Sequence, residues 1–358
     1  MIKFNEIYTT DKEKKMISDT LSKGVLVGET FYHKQVLELL NKSYKKTYLV
    51  HTCTAALEIA ALALNIKAGD EVIMPSYTFV SSANAFALRG AKIVFVDVNE
   101  EMVIDLQAVK NAITEKTKVV VPVHYGGCSC DMKELKNICG NHIYIVEDAA
   151  QSIFDKSLGT YGDFSCISLH STKNITSGGE GGILVVNNSD FINKVSCIVE
   201  KGTNRISFQN KEVEKYTWQT LGSSFCMDGI RAAYLYGQLL EKDDILERRK
   251  ELVALYQEHL SAYEILKSKD QNGHLFYIKA KNNEERDQLR KFLYKEGIES
   301  VSHYEPLHLS AAGKIYGEFK GLDKHTSDAY RLLRLPLHLN LKKEDIVYIC
   351  QKVKAFYE

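Results

Sequence analysis

The chain has 358 residues, and its 46 Lys and Arg balance 46 Asp and Glu, so its formal net charge is zero. That length suits a large domain and a smaller one, each with its own core, and the balanced charge offers nothing to draw nucleic acid or an anionic membrane surface. Its 8 cysteines are scattered, and the nearest pair, Cys128 and Cys130, lacks the C-x-x-C spacing of a redox or zinc motif. They read as small buried hydrophobes of a reducing compartment, and no metal centre is expected. The first residues lack a signal-peptide core and no apolar run reaches spanning length, so a cytoplasmic enzyme without membrane contact is expected.

Residues 11–22 read as an amphipathic helix, followed by a glycine-bracketed loop (24–28) and a helix from about Thr30 to Tyr44. From Thr47 apolar strands alternate with helices. Strands are expected at 48–50, 71–74, 92–96, 118–123 and 143–147, with helices at 54–64, up to 88, 105–114 and 131–140. This repetition implies an α/β fold with a mostly parallel central sheet covered on both faces. No dinucleotide G-x-G-x-x-G or P-loop opens any of these helices. Ile183–Val186 returns to strand, and helices follow at 189–200 and 228–241, with a polar and aromatic stretch between them. That stretch, 201–220, reads as a mobile active-site loop. The large domain is expected to span 1–241. A helix at 242–266 leads into a smaller C-terminal α/β domain, 242–358, whose loops carry His303, His308 and His338.

One lysine is out of place. Lys173 follows the apolar run Cys166, Ile167, Leu169 and precedes the loop Ser177-Gly178-Gly179-Glu180-Gly181-Gly182. A lysine between a buried strand and a close-approach backbone loses proton affinity, and its neutral amine can attack a carbonyl. Upstream, Ile143–Val146 reads as a buried strand ending on Glu147 and Asp148, at the strand exits where open α/β sheets gather ligands. An amine plus an acid about 25 residues before it (173 − 148) is what pyridoxal phosphate needs: one to hold its aldehyde, one to keep its pyridine nitrogen protonated. Asp148 is preferred because it starts the turn, whereas Glu147 alternates to the other face. The plainer readings, a strand-end lysine and an N-cap aspartate, stand beside these.

The remaining parts of such a site fall on other strand exits. Thr52 and Thr54 offer hydroxyls at a helix N-terminus, where amides are unpaired and the dipole suits phosphate, and Ser168 offers another. Phe79 is placed to stack on a flat ring, and Gln151 to reach its hydroxyl. With these residues in hand, the sequence resembles the DegT/StrS family of sugar aminotransferases, of aspartate-aminotransferase-like fold (fold type I). The resemblance rests on Thr52-Cys53-Thr54-Ala55-Ala56, Met74-Pro75-Ser76-Tyr77-Thr78-Phe79, Glu147-Asp148-Ala149-Ala150-Gln151 and His170-Ser171-Thr172-Lys173-Asn174 with Gly179-Glu180-Gly181-Gly182.

The resemblance implies Lys173 as covalent anchor and general acid/base, Asp148 at the pyridine nitrogen, Phe79 on the ring and Gln151 at its hydroxyl. Thr54, Ala55 and Ser168 correspond to the family's phosphate contacts. The family's Gly-x-Asn-x-Arg-Met segment is here Gly222-Ser223-Ser224-Phe225-Cys226-Met227, so Ser224 stands where the family's asparagine reaches the phosphate across a homodimer interface. By resemblance the reaction is glutamate-dependent amination of a nucleotide-linked 4-keto-6-deoxy sugar, dTDP-4-keto-6-deoxyglucose giving dTDP-4-amino-4,6-dideoxygalactose. A 3-keto or UDP-linked substrate, or an inactive pyridoxal-phosphate-binding regulator of the same fold, are the alternatives.

Overall fold

The computed structural model describes residues 1–28, 30–155, 158–266 and 272–358. The apolar runs fold as strands β1 (Lys46–Val50), β2 (Glu71–Pro75), β3 (Lys92–Val96), β4 (Thr117–Val120), β5 (Tyr144–Asp148), β6 (Phe164–Ser168), β7 (Gly182–Val186), β8 (Tyr277–Lys279), β9 (Gly317–Phe319) and β10 (Leu332–Arg334). One sheet has the order β1-β7-β6-β5-β4-β2-β3-β9, and β8 and β10 pair separately. The period-two alternation of side chains explains the helical layers on both faces. Val72, Met74, Ile93 and Phe95 pack on one face with the helix Cys53–Ala63, while Ile73, Val94, Val96 and Val120 pack on the other.

The sheet is parallel except at β7, which runs antiparallel to both β1 and β6. Strands β6 and β7 are joined without a crossover helix, and such a connection permits only an antiparallel pair. The joining loop is drawn together by Leu169 N to Gly181 O (2.9 Å) and Ser171 N to Gly179 O (2.8 Å), which leaves Lys173 near its tip. Because β1, β2, β5 and β6 share one direction, their carboxyl ends open on one edge. Gly182 is required at this edge, since a Cβ there would lie 2.5 Å from the carbonyl carbon of Thr52.

The C-terminal residues build a core of their own around Leu252, Phe276, Leu289, Ile346 and Val353, with Tyr256 stacked on Phe276 at 4.6 Å. They also return to the large sheet, where β9 pairs parallel with β3 at its edge. The helix expected over 242–266 ends at His259. The loop 201–220 is more ordered than its sequence suggests. Arg205–Gln209 is helical, Gly202 O accepts from Gln219 N (2.7 Å), and Asn204 Oδ1 accepts from Thr217 N (2.7 Å).

Candidate active site

A cavity of about 430 Å³ lies over the carboxyl ends of these strands. Lys173, Asp148, Thr54, Phe79, Gln151 and Ser168 all line it. Residues taken from four separate stretches of sequence thus meet in one place, because parallel strands deliver their exits to one edge.

Asp148, the last residue of β5, is buried; its Oδ2 accepts from Ser82 Oγ (2.6 Å) and its Oδ1 from Ala150 N (3.2 Å). Ser82 is held in turn by Thr78 Oγ1 at 2.8 Å. Glu147 faces away and is fully buried. Its oxygens accept from His124 Nε2 (2.8 Å) and from the amides of Gly159, Tyr161 and Gly162 (2.7–2.9 Å). Burial pushes its acidity the other way, but the imidazole and the amides outweigh it and hold the carboxyl below the usual range. The strand therefore assigns one carboxylate to the cavity and the other to the framework.

Lys173 is half-buried, and its Nζ makes no hydrogen bond or ion pair among the described residues. Burial pushes its ammonium down to about 8, against the upward pull of Cys53 and Asp148, and Arg334 adds to the downward push. At pH 7 that leaves roughly a tenth of the amine neutral, far more than an ordinary lysine with its value near 10.4 would offer as a nucleophile.

The helix starts at Cys53, one residue earlier than expected, and its N-cap Thr52 accepts from Ala55 N at 2.9 Å. Ala55 is buried, its amide is taken by that cap, and it does not line the cavity. The amides of Cys53 and Thr54 have no intrahelical acceptor by position, and Thr54 Oγ1 meets Ser81 Oγ at 2.8 Å. With Ser168 and the helix dipole they make a cradle of hydroxyls and amides suited to a phosphate. Phe79 keeps 54 % of its surface exposed, its ring 6.0 Å from Tyr304. Gln151 Oε1 accepts from Gly126 N (2.7 Å) and its Nε2 faces Tyr304 Oη at 3.5 Å. The amine, the acid, the anion cradle and the exposed ring fit pyridoxal phosphate.

Ser224 is exposed and lies outside the lining of its own chain's cavity, as do all of residues 201–220. Of the C-terminal histidines, His303 lines the cavity, whereas His308 bonds Ser76 Oγ at 2.7 Å away from it. Sequence reasoning missed Ser81, Ser82, His124, His274, Tyr304 and Arg334. Arg334 carries the same signal as Lys173, a lone charge in the apolar run Leu332-Leu333-Arg334-Leu335.

A mostly parallel sheet with a desolvated amine, a buried acid and an anion cradle at one edge defines the pyridoxal-phosphate type of α/β enzyme. Residues 11–354 match the model of the DegT/DnrJ/EryC1/StrS aminotransferase family, and the chain belongs to that family. It is 31% identical over 366 residues to the GDP-perosamine synthase of Escherichia coli O157:H7, covering 97% of this chain and 96% of that one. It is 30% identical over 375 residues to the GDP-perosamine synthase of Vibrio cholerae, covering 100% and 99%. A putative sugar aminotransferase, Spr1654 of Streptococcus pneumoniae, solved in its PMP form, superposes with a TM-score of 0.89 over 99% of each chain at 27% identity.

Proposed function

We propose that this sugar aminotransferase uses pyridoxal 5'-phosphate to move an amino group from L-glutamate to a nucleotide-linked 4-keto-6-deoxy sugar. The observation that carries the reading is Lys173, its amine desolvated beside the buried Asp148 at the edge where the hydroxyl and amide cradle opens. When bound, the cofactor supplies an electron sink conjugated to the reacting carbon. Lys173 Nζ would hold it covalently and, once free, would be the base that takes the proton from the donor's α-carbon and the acid that delivers it to the cofactor. Asp148 would keep a proton on the pyridine nitrogen. Ser82 and Ala150 N fix that carboxylate, so orientation costs nothing at the moment of reaction. Thr54, Ser168 and the first-turn amides would hold the phosphate, Phe79 would cover one ring face and Gln151 would meet the ring hydroxyl.

The same reading assigns residues 1–241 to a cofactor-holding domain and 242–358 to a smaller one that, together with Phe4, supplies the opposite wall. It makes the protein a homodimer with shared sites. The support is Ser224, exposed and outside its own cavity, together with exposed Phe79, Val80, Trp218 and Leu221. A cytoplasmic location is supported by eight free cysteines; no helix among the described residues is long and apolar enough to cross a membrane. By the sequence resemblance the substrate is dTDP-4-keto-6-deoxyglucose; the names of the two relatives above favour a GDP-linked keto-sugar as the second reading. Product analysis by NMR after incubation with glutamate and dTDP-, UDP- and GDP-linked keto-sugars decides between them. Amination of none of them would refute the proposal.

A further inference from the structure

Asn174, the residue after Lys173, holds an imidazole that comes from the C-terminal region. Its Nδ2 donates to Asn272 O at 3.1 Å, so Oδ1 is the atom that meets His274 Nδ1, also at 3.1 Å. Asn272 is fixed as well: its Nδ2 donates to Gln151 O (2.5 Å) and its Oδ1 accepts from His274 N (3.0 Å). Arg249 completes the frame, donating from Nε to Gly273 O (2.8 Å) and from Nη2 to His274 O (3.2 Å). Asn174, Asn272 and His274 are all buried. Turning the ring over would break its bond to Asn174.

These bonds settle the tautomer. A carboxamide oxygen only accepts, so the ring proton sits on Nδ1. Burial pushes His274 well below its ordinary range, and Lys173 is the first of the nearby cations to add to that push, ahead of Arg334 and Arg249. The ring is therefore neutral, and Nε2 carries a lone pair. His274 lines the cavity; its Nε2 has no hydrogen-bond partner among the described residues and is not sealed from the cavity. His303 is held neutral too, by burial and by the charges of Arg334 and Lys173, but its Nε2 is already taken by Arg334 Nη1. Of the two rings, His274 is the one left with a free acceptor.

The amine of Lys173 has donors and no acceptor, and it lines the same cavity. To act as a base it must be aimed, and a free amine on a flexible four-carbon stem does not aim itself. A carboxylate in contact with it would favour the ammonium and remove the base. A neutral imidazole orients the amine with a far weaker pull on its proton affinity. We propose that His274 is the positioning residue of the free Lys173 amine, its Nε2 accepting one N–H so that the Nζ lone pair faces the donor's α-carbon. The α-proton then moves to Nζ, the C–H electron pair is left to the cofactor's electron sink, and His274 neither gains nor loses a proton. This assignment rests on the aminotransferase reading above.

Two substitutions separate the ring nitrogens. In His274→Asn the amide replaces Nδ1 and its bond to Asn174, whereas in His274→Gln the amide oxygen replaces the Nε2 acceptor. The test uses holoenzyme and the spectroscopically followed donor half-reaction, with L-glutamate and with L-glutamate deuterated at the α-carbon. His274→Asn should slow that half-reaction by roughly 10–10²-fold, in kcat more than in KM, with a larger isotope effect than wild type because proton removal is the step that suffers. His274→Gln should return to within about 5-fold of wild type. Cofactor capture by the apoprotein supplies a readout apart from turnover. Its pH midpoint, about 8 in wild type, should stay or fall in His274→Asn, since a neutral ring adds no charge. A rise would show a cationic ring and overturn the proposal. If His274→Asn does not fold or load cofactor, His274→Phe, which fills the space without an acceptor, carries the test. Equal slowing in the asparagine and glutamine variants would overturn the proposal, as would a loss confined to the half-reaction with the keto-sugar. A wild-type holoenzyme that converts no donor refutes the aminotransferase reading itself. One that converts glutamate no faster than His274→Asn refutes only the role of His274.

Discussion

The two walls of the cavity are built on different plans. The sheet wall satisfies its acids: every oxygen of Asp148 and Glu147 has a donor from a neighbouring helix, turn or loop, and Asp148 raises the proton affinity of Lys173 without an ion pair. The opposite wall, from Phe4, His303, Tyr304 and Arg334, holds a cation and neutral rings with no acid among them. A wall whose acids are already satisfied is fixed before any ligand arrives, whereas the far wall carries its cation without an acid beside it. The same contrast recurs between Glu147 and Asp148. Adjacent on β5, they differ only in the face they take, and one is consumed by four donors while the other is presented to the cavity.

The largest effect belongs to the sheet wall's amine. Lys173→Ala should lose turnover by at least about 10⁴-fold while the protein still binds the cofactor without a covalent bond, because anchor and proton carrier are removed together. Near-normal turnover in steady-state assays would break the assignment of Lys173. Asp148→Asn should slow the glutamate half-reaction by about 10²-fold or more, since an amide cannot keep a proton on a pyridine nitrogen. Glu147→Gln should act instead on the framework, lowering stability by about 3 kcal/mol in urea unfolding as a buried pair with His124 is broken. If Glu147→Gln is the more damaging to the half-reaction, the division of labour between the two acids is reversed.

The depressed Lys173 sharpens the comparison through pH. The amine attacks and the ammonium does not, so cofactor capture by the apoprotein should accelerate as pH rises through about 8, with a plateau above it. An ordinary exposed lysine would place that midpoint near its usual value of about 10.4, and such a profile would show that the wall does not desolvate the amine. Smallest is Thr52→Ala. Losing the cap on Ala55 N should cost about 1 kcal/mol of stability, and it should weaken phosphate affinity only through the loosened first turn.

What could be read along the chain was whatever is contiguous in it. Strand and helix periodicity, a lysine stranded between an apolar run and glycines, two carboxylates at a strand end and hydroxyls at a helix start each lie within a few residues, so local chemistry announces them. The α/β alternation then places them on one edge, because parallel strands must exit on the same side. Local pattern could not say that 201–220 and Ser224 lie away from their own chain's cavity, nor that β9 returns from the C-terminal region to β3. Nor could it assemble the far wall. Phe4, His303 and Arg334 meet through pairings such as Ile2 with Ile298 and Val301 with Arg334, contacts between segments far apart in sequence. Such contacts join segments far apart in the chain around the C-terminal core, and no periodicity within any one segment encodes them, so the charge balance of the cavity is settled only in three dimensions.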